Sequence, residues 1–176
     1  MRYSLPAQED QTGTYMDNPS IEFFIRTRLV KGHPEGETSR VWTDILRLFF
    51  LVRDSYSIGP EMTLGGGRAD LFISHVIFNE RTTEKKFLVV ECKAPGKETQ
   101  DSIWDAGAEQ LAGYLEGIQK GNNDRKFGAI AVGKFVRFFE WKRNVLVDFD
   151  NDGTIYHIDR QCQTVSARLR YFRDHH

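Results

Sequence analysis

The sequence predicts an α/β fold in which helices flank a central mixed sheet, and three observations carry that prediction. Val41, Ile45, Leu48, Phe49 and Val52 recur at helical spacing, and Trp42, Leu46 and Phe50 widen the apolar stripe. The runs RADLFISHVIF (68–78) and FLVVECK (87–93) are rich in β-branched and aromatic residues and flank a polar stretch, the pattern of paired strands. A helical segment at 101–120 then separates FLVVECK from two further strand-like runs.

Each element has a local reason. Residues 1–17 are polar and unpatterned and read as a loose arm. Asn18-Pro19 supplies a cap and a proline at the first helical position, so 19–30 reads as a short helix. KGHPEG is a loop, and 38–54 is the amphipathic helix. SIGPEMTL suits an edge strand because it carries a proline, and Gly65 to Gly67 suit a tight turn. NERTTEKK is the polar loop between the two long strands. DSIWDAGAEQLAGYLEGIQK (101–120) is a helix opened by Asp101 or Ser102. FGAIAVG and FVRFFEW are strands turning at Gly133-Lys134, and VLVDFD and TIYHID form a hairpin around Asn151-Asp152-Gly153. A basic helix at about 160–173 follows, and the chain from 18 onward reads as a single domain with a core at 37–141.

Composition bounds the function. The 176 residues are 40% hydrophobic and 28% charged with a net charge of −1, which weighs against a purely basic, nonspecific nucleic-acid binder. Cys92 and Cys162 make neither a disulfide framework nor a zinc cluster, and Cys92 reads as a buried core thiol. With no signal-peptide core and no membrane-length apolar stretch, the expectation is an intracellular protein. His33, His75 and His157 read as isolated structural or surface residues, and His175 and His176 are assigned no role.

The chemistry concentrates at the end of FLVVECK. Alternation puts Glu91 and Lys93 on one face of a strand and Cys92 on the other. Charges placed where burial is costly need a reason. A hairpin brings Asp70, at the start of the preceding strand, to the same sheet end as Glu91. Two carboxylates with a lysine form a hard-oxygen site suited to Mg²⁺ or Mn²⁺, and the backbone carbonyl of Cys92 can add a further oxygen. Arg68 and Lys97, next to these residues in sequence, are candidate phosphate contacts; Arg40, Lys134, Arg168, Arg170 and Arg173 are further candidates for a basic patch.

Asp70, then Glu91-Cys92-Lys93, resembles the motif of the PD-(D/E)xK nuclease superfamily, with Ala69 in place of its proline. Gln110-Leu-Ala-Gly-Tyr114 matches the Q-x-x-x-Y element of its RecB-like and lambda-exonuclease-like members, with both residues on one helical face. AVGKFVRFFEW is also similar to nuclease domains of type I restriction subunits. The resemblance implies a restriction-endonuclease-like fold and a Mg²⁺- or Mn²⁺-dependent nuclease acting on nucleic acid, DNA rather than RNA, with room for a homo-oligomer. Asp70 and Glu91 then hold the metal, Lys93 serves the attacking water, and Gln110 and Tyr114 position Lys93 or the substrate backbone. A further acidic residue on the first core helix is carried over to Glu37, with Glu35 and Asp44 as rivals. A second reading is a catalytically inactive module of the same fold that binds nucleic acid or a protein partner.

Overall fold

The computed structural model describes residues 5–64, 67–118, 124–150 and 153–176, with the side chains of 61–64 and 67–69 outside the description. The α/β prediction holds. The described helices are α1 (Pro19–Arg28), α2 (Glu35–Phe49), α3 (Asp101–Gly117) and α4 (Cys162–Asp174). The strands are β1 (Tyr56–Leu64), β2 (Gly67–Ile77), β3 (Thr83–Lys93), β4 (Lys126–Val132), β5 (Phe135–Lys142), β6 (Val145–Asp148) and β7 (Ile155–His157).

They form one mixed seven-stranded sheet in the order β1-β2-β3-β4-β5-β6, with β7 also paired to β5. Most neighbours are antiparallel; β3 and β4 run parallel because α3 carries the chain back to the starting end between them. β1 is an edge strand, which is where Pro60 can sit without breaking a ladder on both sides. None of the described helices is long and apolar enough to cross a membrane.

Alternation along β3 divides the interior. Leu88, Val90 and Cys92 join the larger cluster with Val41, Trp42, Ile45, Leu46, Val165, Leu169 and Phe172 of α2 and α4. Val89 joins Ile130, Val132 and Phe139 under Trp104, Leu111, Tyr114 and Leu115 of α3. Glu91 and Lys93 therefore project to the α3 side. α3 lies close because two glycines let it. A Cβ on Gly128 would stand 2.6 Å from Leu111 Cδ2, and one on Gly107 2.9 Å from Ile130 Cγ2.

Several sequence expectations need correction. Residues 8–17 are not a loose arm. Glu9 N donates to Arg160 O (2.8 Å), the Glu9 carboxylate accepts from Thr164 N and Oγ1, and the Tyr15 hydroxyl donates to Ile158 O (2.6 Å). Tyr15 and Met16 are buried in the core. β6 and β7 do not pair as a hairpin: β6 pairs residues 139–142 of β5 and β7 pairs residues 135–137, so β5 templates both. Asn151 and Asp152 of that expected turn, like Gly65 and Gly66, lie outside the described residues. β3 starts at Thr83 rather than Phe87, because the polar residues Thr83–Lys86 pair with β2 on its exposed stretch. His75 is not isolated, since its Nδ1 lies 2.9 Å from His176 Nε2.

Candidate active site

The site forms where the β2–β3 ladder ends. Its last register pair is Leu71 with Val90, so Asp70 and Glu91 are the next residues outward on each strand. Beyond that pair the main chain of β3 turns to a side chain: Cys92 N donates to Asp70 Oδ2 at 2.7 Å. Within a strand the N–H and C=O of one residue point the same way, so the Cys92 carbonyl also faces the Asp70 edge. The Cys92 thiol points into the opposite core. Burial pushes it well above its ordinary pKa, as expected of a packing residue rather than a nucleophile.

Glu91 is 3% exposed. Its Oε1 accepts from Lys93 Nζ at 2.6 Å, and Lys93 Nζ also donates to Gln110 Oε1 at 2.5 Å. Its Oε2 is buried with no hydrogen-bond partner among the described residues. Burial raises the Glu91 carboxyl to about 7; the hydrogen bond from Lys93 opposes that rise, and the negative charges of Asp70 and Glu35 add to it. An orphaned buried carboxylate oxygen beside a second carboxylate is the environment a cation relieves.

Gln110 and Tyr114 share a face of α3 but play different parts. Gln110 is exposed and reaches Lys93, whereas Tyr114 is buried in the smaller core cluster beneath the helix.

The first turn of α2 carries two glutamates: Glu37, whose Oε2 is buried with no hydrogen-bond partner among the described residues, and Glu35, which is exposed and adds its charge to the rise of Glu91. Glu37 lies 3.8 Å from Arg40, whose guanidinium sits over the Phe24 ring at 4.2 Å. Asp44 pairs with Arg47 at 3.4 Å. Glu35, three and four residues before Thr38 and Ser39, shares their helical face. Thr38 Oγ1 donates to Lys93 O at 2.9 Å and the Ser39 side chain hydrogen-bonds Cys92; burial does most to raise Glu91 and Cys92, Asp70 adds to it, and the charge of Glu35 adds a smaller push to both. Thr38 and Ser39 were not singled out in the sequence because isolated hydroxyls carry no spacing signal.

The donor set is small. Among the described residues, no three His, Cys, Asp or Glu side chains gather as a ready metal cluster. Asp70, Glu91 and the Cys92 carbonyl are hard oxygens, and Mg²⁺ commonly takes only one or two carboxylates and fills its other positions with water. The residues present fit a Mg²⁺-type ion on that basis and on the orphaned Oε2 of Glu91.

Basic residues are less concentrated than expected. Lys97 is exposed in the segment after β3, Lys134 lies in the β4–β5 turn, and the side chain of Arg68 is outside the described residues. The arginines of α4 do not extend a patch here, because α4 packs on the opposite face of the sheet. They are also engaged: Arg168 pairs with Asp150, Arg170 donates to Gly13 O at 3.0 Å, and Arg173 pairs with Asp174 at 2.8 Å. Comparison of the chain with protein-family models, with curated proteins and with solved structures finds no match.

Proposed function

We propose that this protein is a divalent-metal-dependent nuclease that hydrolyses phosphodiester bonds, with DNA as its substrate. The observation that carries the reading is the state of Glu91: a buried carboxylate across from Asp70, with one oxygen held by Lys93 and the other unpartnered. An unmet buried acceptor costs about 1–3 kcal/mol, and a cation held between Glu91 and Asp70 would offset that cost. The order Asp70, Glu91, Lys93, then Gln110 and Tyr114 on the following helix, supports the resemblance to PD-(D/E)xK nucleases and a restriction-endonuclease-like arrangement.

Asp70, Glu91 and the Cys92 carbonyl would hold Mg²⁺ or Mn²⁺, which supplies phosphoryl polarisation and a bound water of lowered pKa. The chain's own residues do the rest. Lys93, fixed between Glu91 and Gln110, presents an ammonium on the α3 side of the sheet, where it stabilises charge developing on the phosphate and orients the attacking water. Gln110 holds Lys93 in place, and the buried ring of Tyr114 anchors the helix that carries Gln110. Lys97 contacts substrate phosphates beside the site. The two buried free thiols suit an intracellular setting.

Incubating supercoiled DNA, linear DNA and single-stranded RNA with the protein in Mg²⁺, Mn²⁺ or EDTA tests the reading. Metal-dependent strand scission that is lost in Asp70→Asn and Glu91→Gln supports it. Binding of DNA without scission under every metal condition would instead leave a nuclease-like binding module.

A further inference from the structure

Helix α2 starts without the usual local support. Its N-cap is Pro34, which offers no side-chain cap, and Gly36 sits in its first turn. No capping side chain therefore fixes where that turn, and Glu35 on it, lies. The fixing contacts come from β3. Thr38 is wholly buried, and its hydroxyl donates to Lys93 O at 2.9 Å, a carbonyl that also accepts from Gly133 N at 3.4 Å. Ser39 adds the bond to Cys92. On the other side, the loop ahead of α2 abuts the turn after β3: a Cβ on Gly96, at φ 85°, would stand 2.9 Å from Lys31 Cα.

From these contacts we infer that Thr38 is a positioning residue, a clasp that holds the Glu35-bearing turn of α2 against the Glu91-Cys92-Lys93 strand end and so sets the cation affinity of the site. This rests on the reading of Asp70 and Glu91 as a divalent-cation site. Thr38 touches neither the cation nor the substrate. It acts through the Lys93 carbonyl, and its contribution is delivered by the charge of Glu35. Valine keeps the shape of threonine and removes the donor, so Thr38→Val releases the clasp with little change in packing volume. Serine keeps the donor.

Mn²⁺ titrations followed by electron paramagnetic resonance, with melting temperatures recorded alongside, test this without reference to turnover. Thr38→Val is expected to weaken Mn²⁺ binding roughly tenfold, the low end for residues that orient ligands from outside the coordination shell. Thr38→Ser restores most of that affinity. In a Glu35→Gln background the additional loss from Thr38→Val shrinks to near zero, because both changes remove the same contribution. If Thr38→Val does not fold, Ser39→Ala, which cuts the neighbouring bond to Cys92, is expected to weaken Mn²⁺ binding in the same non-additive way. Unchanged Mn²⁺ affinity with a lowered melting temperature, or losses that add in full to those of Glu35→Gln, would overturn the clasp. If wild type binds Mn²⁺ and Asp70→Asn does not, such a result leaves the nuclease reading standing; if wild type binds no Mn²⁺ at all, both fall.

Discussion

Glu91 Oε1 and Lys93 Nζ lie 2.6 Å apart at the end of β3, with the side chains only 4% and 15% exposed. Burial raises the Glu91 carboxyl to about 7, against an ordinary value of 4.5. The folded protein therefore holds a proton that the unfolded chain releases, and Glu91 opposes folding increasingly as pH rises from 4.5 through 7. A shift of this size corresponds to roughly 3 kcal/mol. Urea unfolding of the metal-free protein should show Glu91→Gln gaining stability over wild type at pH 8 and not at pH 4.

Glu140 should behave in the opposite sense. It is also buried, which raises its pKa, but hydrogen bonds from Arg125 at 2.8 Å and from Lys142 outweigh burial and leave it below its ordinary value. Its stabilisation is present above the unfolded carboxylate pKa and is lost as pH falls through the lower folded one. Glu140→Gln should destabilise at pH 7, and the loss should shrink as pH falls below the ordinary carboxylate range, again by urea midpoint.

Lys93→Met should separate chemistry from folding. Cleavage is expected to fall by roughly 10²–10⁴, the range for a lost proton-handling or charge-stabilising group. At pH 6 the melting temperature should change little, because a Glu91 carboxyl raised to about 7 already holds its proton there and does not depend on Lys93 to balance its charge. Turnover near wild type in the pure variant would take Lys93 out of the mechanism.

Gln110 and Tyr114 sit one helical turn apart and should respond differently. Gln110 is exposed and bonded to Lys93, so Gln110→Ala should lower turnover while leaving the melting temperature nearly unchanged. Tyr114 is part of the smaller core, so Tyr114→Ala should cost about 3–5 kcal/mol, in line with other buried aromatic truncations. Tyr114→Phe then isolates the hydroxyl. Activity loss in Gln110→Ala that follows its stability loss would return Gln110 to an ordinary surface role.

Much of this site was legible in the sequence because its signals are local. The apolar run before Glu91 announces a buried strand, period-two alternation places Glu91 with Lys93, and the i, i+4 spacing places Gln110 with Tyr114. Glu35 was harder. Without a capping side chain at Pro34, and with Gly36 following, the sequence pattern places the start of α2 at residue 38, and the bonds from Thr38 and Ser39 that bring its first turn to the end of β3 are long-range. The docking of residues 8–17 and the shared pairing of β6 and β7 with β5 rest on long-range contacts, such as Tyr15 to Ile158, that no local pattern encodes.

The most direct measurement of the central claim is a set of thermal melts of wild type and Asp70→Asn at pH 8 in EDTA, Mg²⁺ and Mn²⁺. A cation that binds only the folded arrangement of Asp70 and Glu91 stabilises it by mass action, by about 2.7 kcal/mol at a hundredfold excess over its dissociation constant. Wild type should therefore melt higher with either metal than in EDTA. Asp70→Asn, relieved of one negative charge beside Glu91, should melt slightly above wild type in EDTA and lose most of the metal-induced rise. Equal metal shifts in the two proteins, or none in wild type, would mean that Asp70 is not a ligand and would contradict the account.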